Sequence, residues 1–444
     1  MSFEQEYSAK RISPAEAAAL VKSGDWVDLA GTVNFPLLIE RALAARRDEL
    51  SDVKLRGATV AGPVECVECD PKGEHFTYHS WHMSGYERKL ADRGLCFFEP
   101  MLFRNYYWYF ENFLKVNVAF VCVTPMDDKG YFNFSVATGT ASAAVRAADV
   151  VVVEINRNLP RVFGGQGESL HISDVDYIVE GEHPPLTEVE ARSPTETDKQ
   201  IAAHVIPYIP DGATIQLGIG GVPDALGALI AESDLKELGM HTELCTDAFL
   251  RLYESGKLTN RKKTINKGKG VFGMASGTKP LYDWLGENPG YVSFPIHYVN
   301  DPYVIAQHDN FISLNSCVAV DLFGQISSES AGFRQISGTG GQVDFVTGAA
   351  MSRGGKSFIC TGSTFTDKQG VAHSKIVPHF NGDIVTTPRC QAYYIATEYG
   401  VVNLAGLTVW QRAENLISLA APEFREELIR AAEEQHIWRR SNRR

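Results

Sequence analysis

Two apolar stretches in the first half of the chain constrain its fold more than any other feature. Residues 117–123 and 150–155 are nearly continuous runs of apolar residues, without the alternation of a strand that faces water on one side. The Ala-rich stretch 138–146 between them predicts a helix, and shorter strands are predicted at 27–30 and 53–57. Strands buried on both faces and separated by helices indicate an α/β fold with a parallel sheet.

A polar, proline-rich stretch divides the 444 residues into two such halves. We interpret residues 186–199 as a linker between an N-terminal α/β domain at 1–185 and a C-terminal α/β domain at 200–444. The alternation of strands and helices resumes after the linker, with a predicted strand at 213–217 and a predicted helix at 223–233.

The composition excludes several classes of protein. A net charge of −12 disfavours binding to nucleic acid or to an anionic membrane surface. The apolar runs are too short to span a bilayer, and the N-terminus has no apolar leader segment. Eight scattered cysteines do not resemble a secreted disulfide framework, so we expect a cytoplasmic protein. The basic end at 438–444 is expected to be solvated or paired with acidic surface.

A glycine-rich loop between a predicted strand and a predicted helix is the strongest local signal. The loop consists of Gly218, Ile219, Gly220, Gly221 and Val222. Glycines allow backbone N–H groups to approach a ligand closely, and the N-terminus of the following helix favours an anion. The loop therefore suits a phosphate, a pyrophosphate or a developing oxyanion, although a plain tight turn is the alternative.

A dinucleotide-binding site is the first alternative for this loop. Glu243 lies at a suitable distance for the acid of such a fingerprint, but proline occupies position 223, where the third glycine is needed. We therefore disfavour a dehydrogenase. A short helix is predicted at 234–238, ended by Gly239, which places Glu243 on the next strand or at its end. The carboxyl ends of strands line the ligand crevice in open α/β sheets, so Glu243 is a candidate base, nucleophile or ribose ligand.

A second set of residues superficially suggests zinc. The set comprises Cys66, Cys69, His75, His79 and His82. A zinc site needs three or four ligands in a defined arrangement, and one C-x-x-C pair is weak evidence. The Pro71-Lys72-Gly73 segment interrupts any helix that would align these side chains, so we predict no metal site.

Several longer motifs together carry a resemblance to a known family. They occupy residues 79–85, 165–173, 216–225, 239–243, 310–315, 337–345, 397–404 and 437–443. Through them the chain resembles, nearly from end to end, the acetyl-CoA hydrolase/transferase family, which comprises single-chain relatives of class I CoA-transferases. Within that family it is most similar to the butyryl-CoA:acetate and 4-hydroxybutyrate CoA-transferases.

The resemblance implies a fold and a set of site residues. Two open-sheet α/β domains of the class I CoA-transferase type are expected, with the active site at their interface and assembly into a homodimer or a larger homo-oligomer. Glu243 matches the nucleophilic glutamate of the family. The residues that match CoA-binding positions are Gly218, Ile219, Gly220, Gly221, Val222, Leu314, Asn315, Gly338 and Gly341. Glu398 matches a glutamate near the active site that orients the nucleophile or its partner, and the alternative is an acid that caps the turn at 399–400.

The implied activity is transfer of CoA between short-chain carboxylates, such as butyrate or 4-hydroxybutyrate and acetate. Glu243 would form a glutamyl-CoA thioester in a ping-pong reaction, with the acyl-CoA as substrate and no permanently bound cofactor or metal. Two alternatives stay open. If water reaches the intermediates, the same residues make an acyl-CoA hydrolase, and a chain that retains only the CoA loops would be a non-catalytic ligand sensor.

Overall fold

The computed structural model describes residues 2–190 and 192–439. Of the basic end predicted at 438–444, residues 440–444 lie outside the described residues. The described chain divides into two compact units, of which the first comprises 2–189, 271–299 and 335–338 and the second comprises 190, 192–270, 300–334 and 339–439. The segments 271–299 and 335–338, predicted as part of the C-terminal domain, thus cluster with the first unit. None of the helices in the described residues is long and apolar enough to cross a bilayer.

Sixteen α-helices are described, in chain order: α1 (Phe3–Lys10), α2 (Pro14–Ala19), α3 (Leu37–Ala44), α4 (Glu65–Glu68), α5 (Gly85–Asp92), α6 (Tyr106–Asn112), α7 (Thr138–Ala147), α8 (Glu196–Val205), α9 (Gly221–Glu232), α10 (Asp247–Glu254), α11 (Lys279–Leu285), α12 (Ile296–Val299), α13 (Pro302–Ala306), α14 (Gln342–Met351), α15 (Val409–Leu419) and α16 (Pro422–Glu434).

The described strands are β1 (Trp26–Gly31), β2 (Val53–Ala58), β3 (Phe76–Ser80), β4 (Cys96–Phe98), β5 (Val116–Val123), β6 (Tyr131–Asn133), β7 (Ala148–Ile155), β8 (Ser169–His171), β9 (Tyr177–Glu180), β10 (Thr214–Leu217), β11 (Gly239–Cys245), β12 (Gly270–Ala275), β13 (Tyr291–Ser293), β14 (Phe311–Ser316), β15 (Ala319–Asp321), β16 (Ile326–Ser327), β17 (Ser330–Ala331), β18 (Arg334–Gln335), β19 (Lys356–Cys360), β20 (Thr364–Thr366), β21 (Ala372–Ser374), β22 (Ile376–Val377), β23 (Tyr394–Thr397) and β24 (Gly400–Asn403).

The first unit is built on a seven-stranded sheet with the order β4-β3-β2-β1-β5-β7-β9. Every neighbouring pair in it is parallel, which confirms the predicted parallel sheet. The two apolar runs are the adjacent strands β5 and β7, in which Val118 pairs with Val150. Side chains such as Leu29 and Phe120 are buried, because helices cover both faces of the central strands.

The second unit contains six sheet strands in the order β11-β10-β14-β19-β23-β24. The first five run parallel to their neighbours, and β24 returns antiparallel to β23 as an edge strand. A core of this unit comprises Ile359 and Ile395 from the sheet together with Leu416 and Leu428 from α15 and α16. The α/β fold class predicted from the sequence is confirmed in both units.

The strand order of the second unit reverses between β10 and β14. From β10 the chain proceeds to β11 on one side, and it later returns to β14 on the other side. In open α/β sheets such a reversal opens a crevice outside the carboxyl ends of the two strands, where ligands bind. The fold therefore singles out the segments that follow Leu217 and Ser316.

The predicted helix at 234–238 is wrong. This segment is a loop, in which Glu237 adopts the left-handed conformation at φ 59°. Leu238 donates its backbone N–H to Lys257 O and forms an isolated parallel bridge with Leu258. These long-range backbone hydrogen bonds replace the local ones that a helix would need. The prediction that Glu243 lies on the next strand is confirmed, since that strand is β11.

Candidate active site

Glu243 lies near the carboxyl end of β11, beside the end of β10. Thr214 and Ile215 of β10 pair with Gly239 and Met240 of β11, and continuing this register places Gly218 beside Glu243. The side chain of Glu243 thus lies at the edge of the sheet where the strand order reverses.

The predicted glycine loop begins at the same edge. Gly218 donates its backbone N–H to Leu314 O at 2.8 Å, which joins the loop to β14. Gly220 has φ 115° and ψ −178°, a conformation that is essentially restricted to glycine, and Ile219 is exposed. The helix α9 begins at Gly221. The structure therefore brings together the 218–222 loop, Leu314 and the strand that carries Glu243.

Asn315 has a side chain that is already engaged within the sheet. Its Nδ2 donates to Gln216 Oε1 at 3.3 Å and to Ser313 Oγ at 2.9 Å, while its Oδ1 accepts from Gln216 Nε2 at 3.2 Å. These bonds hold the carboxyl ends of β10 and β14 together. Asn315 thereby supports the loop that follows β10.

Gly341 and Asn300 both donate hydrogen bonds to Glu243. Asn300 Nδ2 lies 2.6 Å from Glu243 Oε2, and the backbone N–H of Gly341 also donates to this carboxylate. Gly341 is the N-cap of α14, so the carboxylate occupies the N-terminal end of a ten-residue helix, where an anion is favoured. A methyl group at position 341 would overlap Glu243 Oε2 and Asn300 Nδ2, which explains the glycine there.

The pKa of Glu243 is raised to about 7. Removal of water from around the carboxylate is the largest cause, and the negative charge of Asp344 adds to it. The hydrogen bonds from Asn300 and Gly341 act in the opposite direction, because they stabilise the ionised form. A carboxylate that is poorly hydrated yet ionisable near neutral pH is more basic than an exposed one, as a nucleophile requires.

Gly338 belongs to the first unit, whereas Gly341 belongs to the second. A methyl group on Gly338 would come within 2.5 Å of Trp81 O and 2.9 Å of His82 Nδ1. Close packing therefore explains the glycine at position 338. The structure brings Gly341 into contact with Glu243, and it places Gly338 against the segment that follows β3.

Glu398 follows β23, four strands along from β11 in the sheet order. Its carboxylate accepts hydrogen bonds from the backbone N–H of Ser363 at 2.9 Å and from Ser363 Oγ at 2.6 Å. At the 399–400 turn, which the alternative role has Glu398 cap, the backbone N–H of Tyr399 donates to Thr397 Oγ1. Glu398 thus links the ends of β19 and β23, and its role toward Glu243 stays a prediction.

The three histidines weighed as zinc ligands each have another partner. His75 Nδ1 lies 2.7 Å from Leu50 O, His79 Nδ1 lies 3.0 Å from Glu99 Oε1, and His82 Nε2 lies 3.2 Å from Ser337 Oγ. Among the described residues, no group of three or more His, Cys, Asp or Glu side chains could hold a metal ion.

Asn300 and Asp344, which adjoin Glu243, were not predicted from the sequence. Asn300 lies 57 residues from Glu243 in the chain and belongs to no recognisable motif. Asp344 belongs to the 337–345 motif, and its position in the first turn of α14 was the available signal. The sequence shows that Asp344 follows Gly341 by three residues at the start of a helix. It does not show that Asn300 is its partner.

Comparison with known proteins adds an independent line of evidence. Residues 1–190 match the acetyl-CoA hydrolase/transferase N-terminal domain, and residues 277–432 match the acetyl-CoA hydrolase/transferase C-terminal domain. The chain is 48% identical over 445 residues to the butyryl-CoA:acetate CoA-transferase of Anaerostipes caccae, covering 100% of both chains. It is 38% identical to the 4-hydroxybutyrate coenzyme A transferase of Clostridium kluyveri, covering 97% of this chain and 98% of that protein. The crystal structure of RipA from Yersinia pestis superposes with a TM-score of 0.91 at 34% identity, covering 98% of this chain and 100% of RipA.

Proposed function

Because this chain belongs to the acetyl-CoA hydrolase/transferase family, we propose that it transfers coenzyme A between short-chain carboxylates. Butyryl-CoA and acetate are the first donor and acceptor to test, since the relative that is 48% identical carries that name. 4-Hydroxybutyryl-CoA is the second donor to test, because the relative that is 38% identical is named a 4-hydroxybutyrate coenzyme A transferase.

We propose that the transfer proceeds through a covalent intermediate on Glu243. A carboxylate oxygen of Glu243 attacks the thioester carbonyl, the C–S bond breaks, and CoA leaves as a thiolate from an acyl-glutamyl anhydride. The thiolate then attacks the glutamyl carbonyl carbon, the anhydride C–O bond breaks, and the free carboxylate departs. The resulting glutamyl-CoA thioester reacts with the second carboxylate by the same steps in reverse, which predicts ping-pong kinetics. Atoms and charges balance without a redox or metal cofactor.

The environment of the Glu243 carboxylate is the observation that carries this proposal. It is poorly hydrated, its pKa is raised to about 7, and it is held by Asn300 Nδ2 and the Gly341 N–H. These fixed donors are available to the tetrahedral oxyanions as the carboxylate becomes an anhydride. Removing one such donor typically costs roughly 100- to 1,000-fold in rate. Ile219 and Gly220, which are exposed in the loop after β10, offer further backbone N–H groups at the adjacent strand end.

Intact mass spectrometry after mixing the protein with butyryl-CoA tests the proposal. We expect a CoA adduct on the wild-type chain, none on Glu243→Gln, and discharge of the adduct by acetate with formation of acetyl-CoA. Glu254→Gln is the matched control, because Glu254 is an exposed acid of the same unit. Absence of the adduct with butyryl-CoA, 4-hydroxybutyryl-CoA and other short acyl-CoAs would overturn the role of Glu243.

The same experiment separates the alternatives. Release of free CoA without acetyl-CoA in the presence of acetate would identify a hydrolase. Binding of CoA without any Glu243-dependent adduct would identify a ligand sensor. We also predict a homodimer or larger homo-oligomer in the cytoplasm, and sedimentation of the purified chain tests the assembly.

A further inference from the structure

Asp344 is a buried carboxylate that the reaction steps above do not use. It lies in the first turn of α14, and its side chain is fully buried. Burial of an ionised carboxylate is costly unless hydrogen bonds and local dipoles compensate. The N-terminal end of α14 supplies part of this compensation, because a negative charge is favoured there.

One amide group connects Asp344 to the proposed nucleophile. Asn300 Nδ2 donates to Glu243 Oε2 at 2.6 Å and approaches Asp344 Oδ2 at 3.4 Å. Asn300 Oδ1 is buried and has no hydrogen-bond partner among the described residues. Rotation of the amide by 180° would place this oxygen between two carboxylates. The pair of acids therefore determines which end of the Asn300 amide faces Glu243.

We propose that Asp344 is a positioning residue of the reaction, which orients the Asn300 amide toward Glu243 and whose charge favours the acylated form of Glu243 over the free carboxylate. This inference rests on the proposed role of Glu243. In the free enzyme, two carboxylates share one donor within a poorly hydrated site. When Glu243 becomes an anhydride or a thioester it loses its charge, so its repulsion with Asp344 disappears. The negative charge of Asp344 thus favours the first step.

Among the described residues, Asp344 is the charged group that shifts the pKa of Glu243. Continuing the β10–β11 register places Gly218, the uncharged residue that follows β10, beside Glu243. Asp344, on α14, raises the pKa of Glu243 through its negative charge. Asn300 is a neutral hydrogen-bond donor and lowers this pKa. The repulsion that acylation relieves is therefore assigned to Asp344.

Three other titratable side chains on or beside β11 contact one another or the backbone. His241 Nδ1 lies 3.4 Å from His308 Nε2. Lys263 Nζ donates to Met240 O at 2.7 Å and to Lys269 O at 2.6 Å. The contacts of these three side chains leave the assignment to Asp344 unchanged.

The rate of adduct formation with butyryl-CoA, measured from pH 5 to 9 by rapid quench and mass spectrometry, tests the inference. Asp344→Asn is nearly isosteric, and its Oδ1 can still accept from Asn300, so it removes the charge and retains the orientation. In the plot of adduct rate against pH, we expect the acid limb of Asp344→Asn to lie about one pH unit lower than that of the wild-type chain. This shift corresponds to a tenfold change in the proton affinity of Glu243. We also expect a slower adduct rate at pH 8 and a smaller fraction of adduct at equilibrium. Asn300→Ala should move the acid limb in the opposite direction, because Glu243 loses a donor.

Asp321→Asn is the matched control, because Asp321 is a fully buried acid of the same unit whose carboxylate accepts from Gln325 Nε2 at 2.7 Å. We expect its pH profile to match that of the wild-type chain. If Asp344→Asn does not fold, Asp344→Ser is the second neutral variant. An acid limb that stays in place in a folded neutral variant, while the wild-type chain forms the adduct, would overturn the role of Asp344 alone. A wild-type chain without any adduct would instead overturn the proposed function.

Discussion

Gly341 donates its backbone N–H to the carboxylate of Glu243, and the two residues are in such close contact that no side chain fits at position 341. The glycine is therefore required by space, since its φ of −95° is open to any residue. The contact joins the end of β11 to the start of α14. It defines the geometry on which the proposed chemistry depends.

Substitution of Gly341 tests this relationship. We expect Gly341→Ala to lower the rate of adduct formation by roughly 100-fold or more, because the methyl group displaces the carboxylate from its donors. Rapid-quench mass spectrometry with butyryl-CoA measures the rate. Gly62→Ala is the control, since a methyl group there meets no atom within 4 Å. A Gly341→Ala chain with the wild-type rate would show that this contact is dispensable.

The pH dependence of the first half-reaction follows from the pKa of Glu243, which is raised to about 7. Only the ionised carboxylate attacks the thioester, so the rate with butyryl-CoA should rise with pH and level off above about 7. Use of butyryl-CoA without acetate excludes titration of the acceptor from the measurement. An acid limb near 4.5, the ordinary value for glutamate, would contradict the desolvated environment of this side chain.

The same pKa shift predicts an effect on stability with a definite sign. The folded chain binds the Glu243 proton more tightly than the unfolded chain, so stability falls as pH rises from 4.5 to about 7 and stays lower above that. Glu243→Gln removes this penalty. We expect the variant to gain about 1–3 kcal/mol in free energy of unfolding at pH 8, and little near pH 4.5.

Denaturant unfolding of both chains at the two pH values measures this difference. Glu254→Gln serves again as the control, and it should change the free energy of unfolding by the same amount at both pH values. A gain that is the same at pH 4.5 and pH 8 would mean that the effect does not arise from ionisation of Glu243.

Gly220 provides a test of the glycine loop that is separate from the chemistry. At φ 115° an alanine is strained, although a methyl group there would meet no atom within 4 Å. We expect Gly220→Ala to destabilise the loop conformation by about 1–3 kcal/mol. The variant should raise KM for butyryl-CoA more than it lowers kcat. Gly256→Ala also places a side chain at a positive φ, 72°, in the same unit but outside the loop, and should leave KM unchanged. Equal effects of the two variants on KM would remove the loop from CoA binding.

The sequence by itself determined the features that depend on local pattern. Apolar runs without alternation specify buried parallel strands, and the runs at 117–123 and 150–155 are indeed neighbours in the sheet as β5 and β7. The strand–glycine–helix succession at 214–232 is equally local, since a positive φ at Gly220 and the start of α9 at Gly221 depend on adjacent residues. The position of Glu243 on a strand followed from the same reasoning.

Only the tertiary structure decided which side chains surround that glutamate. Asn300 lies 57 residues from Glu243 and 44 residues from Asp344, so their hydrogen bonds exist only after the sheet and α14 have assembled. Long-range backbone pairing also overrode the predicted helix before Gly239, because Leu238 bonds to Lys257. Local propensities act over a few residues, whereas the raised pKa of Glu243 arises from burial and from Asp344, which no short stretch of sequence contains.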